Sequence, residues 1–456
     1  MHNRAARLDD VKLNTELNLF AEDDGSLLVH LPIRGFAFRA SVGNHGVLEK
    51  LRNNEPLSGS EAKTAVVRRL NAAGVLGTEL RPQPRTVALD RFEPFEATLI
   101  FTETCNLGCS YCYASATPSR AKAMTSELAK AAVDTVLDNA SRRPNRHAMF
   151  RYIGGGEPTI EWDLLEWTTN YIKRRAAERK VSHWIRLITN GTLLTPDKVA
   201  WLTANVQFVT LSFDILPELQ ANRPFANGRS TQTRLLRVID LLATHGAPFH
   251  IRSTVSSKGA SRLEDMVRYV HENTKARSIR FEPMAEIGRS CETHQSKPRQ
   301  QEFVDSFKAA YRLGRSLGIE VTCKMFTNYR RRSTRFCDAE FSLAPTGVVS
   351  ACHRYSRDDH NGFDQFKIGS YGESGFQFDV AKINALRAID NNTFEDCRGC
   401  FAKWNCASGC LSARLQPWGI SKSGPLCHLT RELLKFGISE QLRRDNESFL
   451  DNQTEE

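Results

Sequence analysis

The sequence lacks the long apolar runs and the signal-like start that membrane and exported proteins carry. No apolar run in its 456 residues approaches the roughly 18 residues that a membrane span needs, and residues 1–12 are polar. Long basic blocks are also missing. The net charge is +10, but Lys and Arg are scattered, with short clusters only at 173–175 and 330–332. We therefore expect a cytoplasmic protein with solvated basic faces and with neither a membrane nor a nucleic-acid partner.

The length and the local patterns predict several domains. Residues 1–88 read as a winged-helix-like unit with strands at 26–31 and 35–41 and helices at 44–52 and 60–73. A proline-containing stretch at 81–85 reads as a linker. Residues 321–440 form a loop-rich, cysteine-rich domain, and residues 441–456 form a polar tail.

Between these parts, residues 89–320 alternate strand-like and helical runs. This alternation predicts an α/β fold, a partial (β/α)6 barrel of the TIM type. The expected strands lie at 97–101, 148–153, 184–189, 208–213, 249–255 and 278–281. The expected helices lie at 125–139, 162–178, 196–204, 231–244, 261–273 and 301–317.

Twelve cysteines are present, which in a cytosolic chain favours metal binding or catalysis over disulfides. Cys105, Cys109 and Cys112 have CxxxCxxC spacing directly after the first barrel strand. Three thiolates from one loop can hold three irons of a cubane and leave the fourth iron without a protein ligand, whereas ordinary four-iron clusters take four Cys. A zinc site completed by a distant ligand is the alternative.

The loop resembles the cluster loop of the radical S-adenosylmethionine (SAM) superfamily, with Tyr111 before its third Cys. Later motifs agree with that family in order. They are Gly155, Gly156, Glu157 and Pro158, similar to the GGEP motif at the SAM amino group; Thr189, Asn190, Gly191 and Thr192 at a strand end; Ser212 and Asp214 near the SAM ribose; and Arg223 at the SAM carboxylate. The usual Gly after the Asp is Ile215 here.

A second array of cysteines occupies the last third of the chain and resembles the SPASM extension of radical SAM enzymes. The resemblance implies a first auxiliary cluster on Cys337, Cys352 and Cys410, and a second on Cys397, Cys400, Cys406 and Cys427. The first set is one ligand short, so either Cys323 completes it or one iron stays open. Structural zinc sites are the alternative. The implied cofactors are three [4Fe–4S] clusters and SAM. Cys291 is expected to be a buried small hydrophobe.

In this family context, residues 1–88 resemble the leader-recognition module of enzymes that modify ribosomally made (RiPP) peptides. Such modules bind an extended leader by strand addition. A DNA-binding winged helix and a structural cap are the alternatives.

The three parts together predict a radical SAM oxidoreductase that abstracts hydrogen from a precursor peptide and installs a carbon–carbon, carbon–oxygen or thioether cross-link. A flavodoxin or ferredoxin is the expected electron donor. His353 and Tyr355 are candidate groups for proton handling. A sulfatase-maturase-like oxidase that forms formylglycine is the alternative enzyme; there an Asp base follows the Cys at the position of His353. An iron–sulfur redox regulator is the alternative outside enzymes.

Overall fold

A computed structural model describes residues 12–77, 86–119, 122–293, 296–416, 419–420, 424 and 426–451. The expected linker at 81–85, residues 1–11 and the last five residues lie outside these ranges. Within the described ranges, no helix combines the length and the apolarity needed to cross a membrane.

The amino-terminal unit is a small sheet covered by two helices. Its elements are β1 (Lys12–Leu13), β2 (Asn18–Ala21), β3 (Ser26–Leu31), β4 (Phe36–Ser41), α1 (His45–Arg52), α2 (Ala65–Ala72) and β5 (Leu76–Gly77). Strands β2, β3 and β4 form an antiparallel sheet in that order, and β1 pairs with β5. The predicted helix at 60–73 is wrong in one respect: it is divided at Thr64, whose ψ of 155° is extended.

The central unit confirms the partial barrel of parallel strands. Its elements are β6 (Glu96–Leu99), α3 (Ser126–Ser141), β7 (His147–Tyr152), α4 (Trp162–Arg179), β8 (Ser182–Thr189), α5 (Pro196–Asn205), β9 (Phe208–Ser212), α6 (Pro217–Gln220), α7 (Gln232–Thr244), β10 (Phe249–Val255), α8 (Leu263–Asn273), β11 (Ser278–Pro283), α9 (Arg289–Glu292), α10 (Gln300–Ser316) and β12 (Glu320–Thr322). Strand β12 is a seventh parallel strand beside β11. Its three residues are too few to give a sequence pattern.

Side chains alternate along the barrel strands between a helix-facing core and the interior of the barrel. Ala148, Phe150 and Tyr152 of β7 are fully buried in the hydrophobic core. The side chain of Arg151, which lies between Phe150 and Tyr152, points to the opposite face of the sheet and donates to Glu96 of the neighbouring strand (2.6 Å). The barrel interior is therefore polar at this level, which matters for the site below.

The cysteine-rich part continues the same sheet. Its elements are α11 (Lys324–Thr327), β13 (Ser342–Leu343), β14 (Val348–Ser350), α12 (Phe363–Phe366), β15 (Lys367–Gly372), β16 (Gly375–Phe378), α13 (Val380–Arg387), α14 (Glu395–Arg398), α15 (Lys403–Cys406), α16 (Leu411–Arg414), β17 (Leu415–Gln416), β18 (Gly419–Ile420) and α17 (Cys427–Asp451). Strand β13 pairs parallel with β6, and β14 to β16 follow as antiparallel neighbours. The two parts thus share one continuous eleven-stranded sheet.

Two further sequence expectations need correction. Helix α17 crosses the boundary expected at residue 440 and continues to Asp451. Just beyond that boundary, Gln441 accepts from the Tyr329 hydroxyl (2.8 Å), and Arg444 donates to the Tyr311 hydroxyl (2.7 Å). Cys291 is exposed on the short helix α9 rather than buried.

Candidate active site

The three clustered cysteines follow β6 and line one cavity of about 190 Å³. The backbone of their loop is anchored on the segment after α6. Gly108 N donates to the Pro224 carbonyl and Ser110 N donates to the Asn222 carbonyl, both at 2.9 Å. The loop therefore lies at the carboxyl ends of the parallel strands, where barrels of this type carry their chemistry.

The chemistry of the thiols fits an iron–sulfur cluster. The pKa of the Cys105 thiol is raised to about 12, chiefly by burial, and Glu157 and the two other thiols act in the same direction. Burial likewise raises the pKa of Cys109 to about 11. Three soft sulfur donors that face one cavity are the ligand set that iron–sulfur clusters use.

The glycine loop after β7 lies against the cluster loop with no room for side chains. Gly155 has a φ of 62°, and a Cβ built on Gly156 would lie 1.9 Å from the Thr104 carbonyl oxygen. Both glycines and Glu157 line the cavity, whereas Pro158 lies behind it at the start of a short 3-10 helix, Pro158–Glu161. The missing side chains leave backbone groups at the cavity wall.

Glu157 and Asn190 connect the glycine loop, β8 and the cluster loop. The Glu157 carboxylate accepts from the Thr159 hydroxyl (2.6 Å), the Thr189 hydroxyl (2.5 Å) and the Asn190 backbone N (2.7 Å). The Asn190 side-chain amide lies 3.9 Å from Cys105 Sγ. Asn190 is therefore placed to donate to a cluster sulfur.

Tyr111, Asp214 and Arg223 form a buried network. The Tyr111 hydroxyl donates to Asp214 Oδ2, and Arg223 donates to the Tyr111 oxygen (3.0 Å). Burial raises the pKa of Asp214, while Arg223 opposes the shift. Ser212, Tyr111 and Arg223 line the cavity, but Asp214 does not. Asp214 thus contacts Tyr111 directly, and Arg223 contacts Tyr111 in turn.

Ile215 occupies the place where the resemblance expects Gly, and it has the backbone that Gly would have. Its φ is 70°, and Leu216 N donates to the Asp214 carbonyl (2.8 Å) to close the turn. The Ile215 side chain is fully buried in the core. The turn is therefore kept, and packing of this side chain offsets the strain of a β-branched residue at positive φ.

The structure separates the two candidates for proton handling. His353 lines the cavity, and its Nδ1 lies 3.0 Å from Glu340 Oε2. Tyr355 does not line this cavity; its ring stacks on Phe366 with a centroid distance of 4.6 Å, and its hydroxyl contacts Ser412. The expectation for Tyr355 is corrected because the turn after Cys352 directs its ring into the core.

Sequence reasoning missed several polar groups at this cavity. Tyr113, Arg252, Glu282 and Arg354 all line it. Arg252 and Glu282 lie at interior-facing positions on β10 and β11. The alternation of charged with apolar residues along those strands could have predicted that these side chains face the barrel interior. Arg354 directly follows His353 and gave no separate signal.

Seven of the nine other cysteines form two groups. Burial raises the pKa of Cys337 to about 12 and raises that of Cys352, and Cys410 acts in the same direction on both. The second group shows the same mutual influence: burial raises the pKa of Cys406 to about 12, followed by effects of the other three thiols, Cys427, Cys397 and Cys400.

Cys323, the possible fourth ligand of the first group, has a different place. Its side chain is fully buried in the hydrophobic core, and its Sγ accepts from Phe326 N (3.4 Å) at the start of α11. After burial, the strongest influence on its pKa is Glu282 rather than a thiol. The structure therefore uses Cys323 as a helix cap.

Comparison with known proteins agrees with this geometry. Residues 99–269 match the Radical SAM superfamily model. An uncharacterized protein of Methanocaldococcus jannaschii is 29% identical over 37% of this chain and 56% of its own length. The cysteine-type anaerobic sulfatase-maturating enzyme of Clostridium perfringens is 23% identical over 68% of this chain and 86% of its own.

Solved structures share the fold. A native anaerobic sulfatase-maturating enzyme, anSMEcpe, with bound AdoMet covers 77% of this chain and 99% of its own, with a TM-score of 0.61 and 19% identity. Streptococcus suis SuiB bound to the precursor peptide SuiA covers 92% of this chain and 100% of its own, with a TM-score of 0.50 and 14% identity.

The parallel barrel, the three-cysteine loop and the match over residues 99–269 define a radical SAM domain. Enzymes with this domain use SAM and a [4Fe–4S] cluster.

Proposed function

We propose that this chain is a peptide maturase that abstracts hydrogen from a ribosomally made precursor and installs a cross-link between its residues. The cluster and SAM, when bound, would supply the radical chemistry that removes this hydrogen. The protein contributes orientation and the exclusion of competing reactions.

The residues of the cavity divide these tasks. Cys105, Cys109 and Cys112 would hold the cluster. The backbone of Gly155 and Gly156 and the side chains of Ser212 and Arg223 would hold SAM, with Asp214 and Tyr111 fixing Arg223. The hydrogen bonds around Glu157 hold this wall in one arrangement before any ligand binds.

One observation carries the proposal that the target is a peptide. The cavity is lined on one side by the three-cysteine loop and on another by His353 and Arg354, which belong to the cysteine-rich part. A substrate placed between them would meet the radical and the first auxiliary group together. Glu340 holds the His353 ring, so that its other nitrogen is available for a substrate proton.

We propose that the cysteine-rich part, over residues 321–440, is a SPASM domain with two auxiliary [4Fe–4S] clusters on the two cysteine groups. Three clusters would then be present; the two auxiliary clusters would receive the electron of the product radical, and a flavodoxin or ferredoxin would be the electron donor. The use of Cys323 as a helix cap favours an open iron in the first auxiliary cluster.

The amino-terminal unit supports a peptide substrate through its position. Its sheet packs on the segment that carries the second cysteine group. Leu28 and Ala402 belong to one small hydrophobic core, and the Phe20 ring contacts the Phe401 ring edge-on, with a centroid distance of 4.6 Å. Glu16 accepts from Trp404 Nε1 (2.8 Å). We propose that an edge strand of this unit takes up the leader by strand addition.

The test uses the full chain, reconstituted without oxygen, with SAM, a reductant and the peptide encoded by a neighbouring short reading frame. Formation of 5′-deoxyadenosine together with a peptide lighter by two hydrogens is expected. The variant with Ala at all three cluster-loop cysteines is the control and should give neither. Formation of 5′-deoxyadenosine with an unchanged peptide mass would count against the peptide as substrate.

A second candidate is a sulfatase-maturase-like protein oxidase, which the extended similarity to the Clostridium perfringens enzyme favours. His353 stands where those enzymes are expected to place an Asp base. Sulfatase peptides whose Ser loses two hydrogens, or whose Cys loses two hydrogens and then exchanges sulfur for the oxygen of water with release of sulfide, would support this candidate.

A further inference from the structure

The interior of the barrel carries an excess of arginine at the level of the active-site cavity. Arg151 and Arg186 are paired in register on β7 and β8, and Arg252 and Arg280 are paired in register on β10 and β11. The pKa of Arg186 is lowered to about 10, chiefly by burial and also by repulsion from the three other arginines.

Among the described residues, two of these four guanidinium groups donate a hydrogen bond to a carboxylate, and two do not. Arg151 donates to Glu96 (2.6 Å) and Arg280 donates to Glu282 (2.5 Å). Arg186 donates to Thr210 (2.6 Å) and contacts His250, both neutral groups. For Arg252, no hydrogen bond or ion pair of the guanidinium is found among the described residues.

Arg252 is the one of the four that lines the cavity. It is the register neighbour of Ser212, and it therefore lies beside the proposed SAM site on the interior side of the strand. The two carboxylates that line the cavity already accept hydrogen bonds from other residues. Glu157 accepts from Thr159, Thr189 and Asn190, and Glu282 accepts from Arg280.

A second guanidinium and a phenol converge on the same place. Arg354 and Tyr113 line the same cavity as Arg252. Arg354 donates to the Ser412 hydroxyl (3.2 Å). Among the described residues, the carboxylate that influences Arg252 is Glu282, which already accepts from Arg280. Burial of a cation without a dedicated anion is costly.

We propose that Arg252, with Arg354 and Tyr113, binds a carboxylate of the peptide substrate, so that an Asp or Glu side chain lies beside the residue that loses hydrogen. This inference rests on the proposed peptide function. A guanidinium can bind a carboxylate through two hydrogen bonds, which fixes direction as well as distance. The acidic residue would anchor the substrate and would complete the charge balance of the interior.

The experiment measures binding rather than turnover. The reconstituted full chain, with SAM present, is dialysed to equilibrium against two pools of capped random decapeptides, one with Asp and one with Asn fixed at a central position. Wild type should retain the Asp pool roughly tenfold better, the size of a charge-assisted hydrogen bond. Arg252→Gln should reduce this preference to about twofold or less, and Arg252→Lys should keep part of it.

Arg237→Gln is the matched control, because Arg237 is exposed on α7; it should keep the full preference. The SAM affinity of Arg252→Gln should stay within about threefold, which also shows that the variant is folded. A tenfold loss of SAM affinity with an unchanged Asp preference would overturn the proposal and assign Arg252 to the SAM carboxylate. If wild type retains both pools equally, the carboxylate site is overturned and the proposed peptide function is not. If wild type retains neither pool, the peptide function is overturned as well.

Discussion

The contact between Gly156 and the cluster loop gives a sharp prediction. An Ala side chain at this position would place Cβ 1.9 Å from the Thr104 oxygen, 2.5 Å from the Thr104 carbonyl carbon and 2.8 Å from the Glu103 carbonyl carbon. These atoms belong to the backbone, so no side chain can rotate away. The cluster loop or the glycine loop would have to move by more than an ångström.

The cost follows from two terms. Forced overpacking destabilises by about 1–3 kcal/mol. The movement would also break the bonds from Gly156 N to the Thr102 carbonyl (2.8 Å) and from Glu157 N to the Thr104 carbonyl (2.9 Å), at about 1 kcal/mol each. A local loss of about 3–5 kcal/mol is large against the 5–15 kcal/mol of a typical fold.

Gly156→Ala should therefore lose the cluster of the three-cysteine loop, about four irons per chain, and should lose SAM cleavage. Iron content, the electron paramagnetic resonance signal of the reduced protein and the rate of 5′-deoxyadenosine formation measure this. Gly108→Ala, in the cluster loop, is the matched control, because its Cβ would have no neighbour closer than 4.0 Å. Full iron and an unchanged cleavage rate in Gly156→Ala would refute the reasoning.

Three further predictions concern other parts of the chain. His353→Gln should lower peptide modification by about 100-fold while 5′-deoxyadenosine formation without peptide stays within about twofold; chromatography of both products checks this, and equal losses in both would contradict it. Ile215→Gly should relieve a strain of about 1 kcal/mol but lose more in buried packing, so that denaturant unfolding shows a net loss of about 2 kcal/mol with unchanged SAM affinity. Burial lowers the pKa of His30 to about 4, so below pH 6.5 this histidine is protonated in the unfolded chain but stays neutral in the folded chain. The free energy of unfolding should therefore fall by about 2 kcal/mol between pH 7 and pH 5. His30→Gln should reduce this pH dependence in unfolding curves measured across that range.

Spacing and strand order predicted the barrel and the place of the cluster loop because both depend on short-range pattern. CxxxCxxC after a strand and a Gly pair after the next strand are local features, and parallel strands bring their carboxyl ends together. The classification as a radical SAM enzyme of this architecture is confirmed. The domain boundaries and the ligand sets stay predictions.

The missed features depend on long-range packing. Tyr355 stands two residues from His353, yet the turn between them directs one ring to the cavity and the other into the core. Arg252 carries no motif, and its importance follows from the register that sets it beside Ser212 and Arg280. Ile215 shows the reverse case, since an apparent departure from the family pattern keeps the positive φ of the turn.

The most direct test of the central claim follows the abstracted hydrogen. A precursor peptide deuterated at its core residues would be incubated with SAM and the reduced, reconstituted chain, and the 5′-deoxyadenosine would be analysed by mass spectrometry. A peptide maturase predicts deuterium in 5′-deoxyadenosine and a cross-linked peptide that has lost the label. Unlabelled 5′-deoxyadenosine beside an intact, fully deuterated peptide would contradict the account.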